Sequence, residues 1–293
     1  MPSKLEDRDW DILLRRIRDG KCTPFLGAGV NAGVLPLGSD IARQWAAQYK
    51  YPLEDGTDLA RVAQFLAVSS RDKMFPKEEI VKSFEGVAPP DFSARDDPQG
   101  ALADLPLPVY MTTNYDDFMS SALKSRSKDP KWEYCRWNSL LRKEPSLFDP
   151  PSAFRPTPAN PMVFHLHGHQ SRAESLVLTE DDYLDFLVNI SRDQNLLPAR
   201  IQEALTGASL LFVGYRLADW DFRVIFRGLV TAMESSLRRI SVAVQLPPPS
   251  DDSDLGAQKY LTDYFEDIHV RVYWGSAKEF VIELRDRWEK FRK

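Results

Sequence analysis

The chain has 293 residues, with 38 Lys plus Arg against 43 Asp plus Glu and a formal net charge of -5. Hydrophobic residues make up 43% and aromatics 11%, enough to bury a substantial core, which excludes a disordered or collagen-like chain. That length suits about two domains, or one large α/β domain carrying an insertion. The acidic balance disfavours unspecific nucleic-acid binding. Cys22 and Cys135 are the only cysteines, and they supply neither a disulfide framework nor a Cys-x-x-Cys metal site. No stretch is apolar for long enough to make a signal peptide or a membrane span, so a cytoplasmic protein without membrane contact is expected.

In chain order, Asp9 to Arg18 reads as a helix, because Trp10, Leu13, Leu14 and Ile17 share one stripe and Gly20 follows as a stop. Cys22 to Leu26 reads as a strand entering a glycine-rich loop. Between residues 38 and 104 come helices without a convincing strand: one capped by Ser39, one starting at Asp58 and one starting at Pro76. This stretch is expected to be a helical subdomain inserted after the first strand. Further strands are expected at 109–112, 131–137, 162–167, 210–213, 240–245 and 268–273, with a short apolar run at 176–178. Helices are expected after 117, across EDDYLDFL, at 221–235 and at 277–291. Six prolines between 145 and 161 exclude a helix there. Because that segment directly precedes the strand at 162, it is a candidate lid.

Alternating short apolar runs and amphipathic helices predict an α/β fold: a Rossmann-like parallel sheet with helices on both faces and an inserted helical subdomain. The core would span about 20–37 and 105–275, the insertion about 38–104, and the last helix 277–291. In such sheets ligands sit beyond the carboxyl ends of the strands, and the polar chemistry of this chain gathers there. FLGAGVNAG (Phe25 to Gly33) is one residue off a dinucleotide-binding fingerprint and lacks the Lys of a P-loop; it is either a phosphate cradle or a tight turn. MTTNYDD (Met111 to Asp117) puts an amide and a carboxylate at the rim, as ligand contacts or as helix caps. VFHLHGH (Val163 to His169) holds three of the four histidines. Alternation sends Met162, Phe164 and Leu166 to one face and His165, His167 and His169 to the other, as a metal site or as one general base with structural neighbours. VGYRLADWD (Val213 to Asp221) repeats the strand-end pattern.

Taken together in this order, the motifs resemble the sirtuin-like NAD-cleaving domain of prokaryotic antiviral defence proteins. GAG at 27–29, TNYD at 113–116, LHG at 166–168, LTEDDY at 178–183 and VGYRLAD at 213–219 carry the resemblance. It implies that Gly27, Ala28 and Gly29 line the pyrophosphate and adenosine side of NAD. It places Asn114 and Asp116 by the nicotinamide ribose, His167 as general base before Gly168, and Thr113, Gly214 and Tyr215 against the dinucleotide. Asn31 stands where the family often has serine and is expected to bind the dinucleotide through a phosphate or ribose hydrogen bond. The four-cysteine zinc module of deacylating sirtuins cannot be built from two distant cysteines, so an NAD+ glycohydrolase with water as acceptor is expected rather than a deacylase. NAD+ is then substrate, and no cofactor or metal is required.

Two alternatives remain. One is a sensor that holds an NAD-derived nucleotide without turnover; the other is a metal-dependent hydrolase using His165, His167 and His169. HExxH, P-loop and G-x-S-x-G signatures are absent. The resemblance further implies a toxic anti-phage effector of the abortive-infection kind. Such an enzyme would be held in check until a homo-oligomer forms or a separate activator binds, an HerA-type ATPase before an Argonaute-like protein.

Overall fold

The apolar runs CTPFL and SLLFV become neighbouring central strands of one sheet, each buried along its whole length. The computed structural model describes residues 5–215, 241–246, 254–267 and 269–293. Its strands are β1 (Cys22–Leu26), β2 (Val109–Thr112), β3 (Lys131–Tyr134), β4 (Met162–His165), β5 (Ser209–Val213), β6 (Ser241–Gln245) and β7 (Val270–Trp274). They form one seven-stranded sheet in the order β3-β4-β2-β1-β5-β6-β7, with every pairing parallel. Pro24 sits inside central β1, where its missing N–H needs an explanation. Leu26 O accepts from Thr113 N, so Leu26, and by alternation Pro24, face β2. The β1–β2 ladder starts only at Phe25, one residue past the position whose N–H is missing.

Around the sheet lie α1 (Asp7–Arg18), α2 (Gly38–Tyr49), α3 (Leu59–Ser70), α4 (Phe75–Lys82), α5 (Pro98–Ala103), α6 (Phe118–Ser125), α7 (Glu180–Arg192), α8 (Ala199–Thr206), α9 (Asp254–Glu266) and α10 (Ala277–Phe291). Side chains alternate across the pleat, and each face buries its own cluster. Phe25, Met111, Phe164 and Phe212 pack with Phe186 of α7, Ile201 of α8 and Phe265 of α9. Leu26, Tyr110, Val163 and Leu211 pack with α1, α5, α6 and α10. The expected α/β architecture with helices on both faces is therefore observed. The stripe of α1 is buried as expected, and Trp10 stacks on Phe280 of α10 at 5.4 Å.

Helices α2 to α4 gather Ile41, Trp45, Val62, Leu66 and Ile80 into a third cluster, which also takes in Leu176 and Leu178. α5 belongs instead to the sheet face, so the segment 38–104 divides between a helical appendage and the core. Ser39 lies inside α2, whose N-cap is Leu37; Asp58 does cap α3, accepting from Arg61 N at 3.2 Å. Residues 176–178 form no strand. The expected helix at 221–235 lies outside the described residues. No helix among those described is long and apolar enough to cross a membrane.

One buried ion pair fastens the appendage to the core. Lys77 Nζ lies 2.9 Å from Asp182 Oδ1 and donates to Leu176 O at 2.8 Å, while Asp182 Oδ2 accepts from Thr179 N at 3.0 Å. Both side chains are nearly enclosed. Lys77→Met leaves the carboxylate buried without its counter-charge, expected to cost about 3–5 kcal/mol in urea unfolding. A loss below about 1 kcal/mol would remove the pair as the fastening.

Candidate functional site

Four adjacent parallel strands end together, and each carries one of the motifs. Leu26 pairs with Thr112 and with Val213, and Thr112 pairs with His165. The loops that follow β1, β2, β4 and β5 thus share the carboxyl edge, around the point where the strand order turns.

The loop after β1 is laced to the loop after β5. Gly27 N donates to Val213 O and Gly29 N to Gly214 O, both at 2.9 Å. A Cβ on Gly29 would sit 2.9 Å from Gly214 Cα, and Gly214 itself has φ +83. The glycines here are required by backbone meeting backbone. Ala28 is exposed at the tip. Tyr215 OH donates to Leu26 O at 3.0 Å and lies 2.9 Å from Thr113 Oγ1, bridging β5 to β2 over the end of β1.

Asn31 and Asp116 meet each other. Asn31 Nδ2 donates to Asp116 Oδ2 at 2.7 Å, and Phe118 N donates to Asp116 Oδ1 at 2.9 Å. Gln99 of α5 donates to Asn31 Oδ1. Burial raises the Asp116 carboxyl pKa above its ordinary range. This buried chain ties the loop after β2 to the glycine loop, and Gln99 carried no signal in the sequence.

Asn114 is held on three sides. Its N–H donates to Thr112 Oγ1 at 2.9 Å, its Nδ2 to Gly27 O at 3.2 Å, and its carbonyl lies 3.0 Å from His165 Nδ1. None of these contacts uses the side-chain Oδ1.

His165 and His169 stay together, their rings 4.6 Å apart, while His167 parts from them. Strand pairing stops at His165, and Gly168 turns the chain with φ +92, so alternation does not carry through to residue 167. His167 packs edge-on against Tyr183 and Phe186 of α7, at 5.3 and 5.2 Å between ring centroids. This is the side of the sheet that Phe164 and Leu166 occupy, which corrects its expected placement with His165. His167 is 3% exposed, and its Nε2 is buried without a partner, a condition rare in folded proteins. Burial pushes its pKa down to about 3. His169 bonds through Nε2 to Asp117 Oδ1 at 2.9 Å and through Nδ1 to Ser171 Oγ at 2.8 Å. Among the described residues no group of three or more His, Cys, Asp or Glu is placed to hold a metal, so a shared metal at residues 165, 167 and 169 has no geometric support.

His165 is also pushed down to about 3 by burial. Both rings stay neutral when folded but take up protons near the ordinary value of 6.5 when unfolded. Stability is therefore full above about pH 6.5 and is lost as pH falls from there toward 3, at up to about 1.4 kcal/mol per pH unit and ring. Urea unfolding at pH 5 is expected to give about 4 kcal/mol less than at pH 7.5 on their account. A flat profile between those two pH values would contradict the neutral assignment.

The 145–161 segment folds back along β3. Buried Glu133 accepts from Ser146 Oγ at 2.8 Å and Leu147 N at 2.9 Å, and Phe148 and Phe154 pack against the core of that face.

The profile described as "SIR2-like domain" matches residues 108–273, more than half of the chain. An NAD(+) hydrolase ThsA of Cytobacillus dafuensis is 25% identical over 214 residues, covering 72% of this chain and 38% of that protein. A second ThsA, from Acinetobacter baumannii, is 21% identical over 233 residues, covering 78% and 43%. Defense-associated sirtuin 2 of Bacillus subtilis is 24% identical over 268 residues, covering 87% and 23%. The chain thus spans less than half the length of these relatives. A chain solved in work on the mechanism and regulation of Sir2 enzymes superposes with a TM-score of 0.48 at 14% identity, covering 98% and 99%. The match over 108–273 takes in β2 to β7, the loop of Asn114, the His167–Gly168 turn and the end of β5, and by it the chain belongs to the SIR2-like domain family.

Proposed function

We propose that this chain hydrolyses NAD+ at the nicotinamide–ribose bond. The N-glycosidic bond breaks with its electron pair passing to the cationic nicotinamide, which leaves neutral. Water adds to the ribose carbon and gives up a proton, so the products are nicotinamide, ADP-ribose and a proton. The transition state resembles an oxocarbenium ion, so the protein's task is to orient dipoles and a proton acceptor rather than to supply a strong nucleophile. Asn114 Oδ1 orients the ribose and the attacking water, and His167 Nε2 accepts the proton. Asp116 holds the two loops in register through Asn31. Gly27, Ala28, Gly29, Thr113, Gly214 and Tyr215 form the dinucleotide-facing rim.

One observation carries the reading: a buried, neutral and unpartnered imidazole nitrogen stands one strand away from an amide whose oxygen is unused by its anchoring contacts. A ligand hydroxyl would give the imidazole nitrogen the partner it lacks. The family match and the ThsA relatives support the same reaction. By the same likeness, the chain acts as an anti-phage effector. Its trigger is self-assembly or a separate activator such as an HerA-type ATPase or an Argonaute-like protein.

The test is incubation of purified protein with NAD+, with and without its genomic neighbour, followed by chromatography for nicotinamide and ADP-ribose. Release unaffected by chelator is expected. Bound NAD+ without products selects a sensor, and loss of activity with chelator selects a metal hydrolase. Because His167 titrates near 3 rather than 6.5, its acid limb in kcat/KM is expected well below pH 6. An acid limb at 6.5 that disappears in His167→Gln would show a solvated ring.

A further inference from the structure

The geometry assigns to His165 the task of positioning Asn114, by donating its Nδ1–H to the Asn114 main-chain carbonyl at 3.0 Å. A carbonyl oxygen only accepts, so the proton is on Nδ1, and Nε2 is left as a buried acceptor without a partner. The ring's orientation is held from behind. The His165 ring meets the His169 ring edge-on at 4.6 Å, and His169 is stacked on Trp132 of β3 at 4.1 Å. His169 in turn holds Asp117, three residues past Asn114, at 2.9 Å. Gln170 N donates to Tyr115 O between them. Two histidines of the strand-end loop thus grip the 114–117 loop at both of its ends, and His165 grips it at the residue whose side chain faces substrate.

The grip matters because the other anchors of Asn114 come from β2 itself and from the glycine loop. His165 ties Asn114 itself directly to β4, the strand leading to His167. A misplacement of about 1 Å between reacting groups costs on the order of 100-fold in rate. The inference rests on the reading of Asn114 as a residue facing NAD+, and it makes His165 a positioning residue that acts through Asn114.

Nicotinamide release is measured across NAD+ concentrations for wild type, His165→Asn, His165→Gln and His165→Leu, together with each unfolding midpoint. An Asn side-chain amide can offer an N–H where Nδ1–H stands, whereas a Gln amide reaches the Nε2 position. His165→Asn is expected to retain kcat within about fivefold, while His165→Gln and His165→Leu lose about 100-fold with KM changed less than about threefold. Should the Leu variant fail to fold, the Asn and Gln pair decides alone. Equal kcat in all variants, or losses that follow the unfolding midpoint, overturn the assignment. A wild-type chain that releases no nicotinamide defeats the NAD+ reading on its own. The grip is then read from imidazole ¹⁵N spectra, where a proton on Nδ1 of His165 supports it and one on Nε2 overturns it.

Discussion

Asn114→Ala is expected to cut nicotinamide release by about 10³-fold or more, with the fold intact. The two halves of that expectation have separate physical origins. The stability cost is small, because the side chain is only partly buried and makes one hydrogen bond, to Gly27 O at 3.2 Å; such a bond contributes about 1 kcal/mol. The kinetic cost is large, because a dipole already aimed at the site of charge development needs no reorganisation during the reaction. Asn114→Asp should also fail, since a carboxylate oxygen would replace Nδ2 opposite the Gly27 carbonyl and repel it. His167→Gln, which roughly keeps the volume between Tyr183 and Phe186, should lose about 10²–10⁴-fold through loss of the proton acceptor. Folded Asn114→Ala and His167→Gln proteins with near-wild-type turnover would refute the site.

The second large effect concerns the fold alone. Gly168→Ala is expected to cost about 4 kcal/mol or more, a large share of the roughly 5–15 kcal/mol that holds a typical domain folded. Gly168 has φ +92, and a Cβ there would lie 2.2 Å from Ser175 O and 2.3 Å from Ser175 C. Ser175 has little freedom to retreat. Its N–H donates to Arg172 O at 2.8 Å, its Oγ accepts from His169 N at 2.9 Å, and its carbonyl accepts from Trp137 Nε1 at 2.8 Å. Circular dichroism melts and urea titration measure the loss. A variant within about 1 kcal/mol of wild type would mean that the 166–176 loop is far softer than these contacts imply. The expectation holds whether or not the protein cleaves NAD+, so it separates the architecture from the chemistry.

The strands were legible because each is a short apolar run closed by turn residues, and their ends carry the motifs. Periodicity also marked α1, whose stripe is fully core. What escaped was whatever depended on the partner across space. α5 is six residues long and wholly buried, too short to show a period. Lys77 looks like any helical lysine until α7 supplies Asp182. The Asn31–Asp116 bond joins residues 85 positions apart. His167 leaves the face that alternation predicts for it because the point at which strand pairing stops is set by the Gly168 turn and the neighbouring loop, which alternation cannot reveal. Thr179 and Asp182, by contrast, form a capping box at the start of α7, a spacing readable in LTEDDY.

The outermost strand, β3, carries a carboxylate, Glu133, turned into the protein and satisfied by Ser146 and Leu147 of its own chain. An acid buried on a border strand is one of the devices by which sheets refuse to template further strands. The return from 145 to 161 carries six prolines, each of which removes an N–H that a foreign backbone could use. That border is thereby protected against edge-to-edge aggregation, and crowding many copies together need not end in runaway polymerisation through β3.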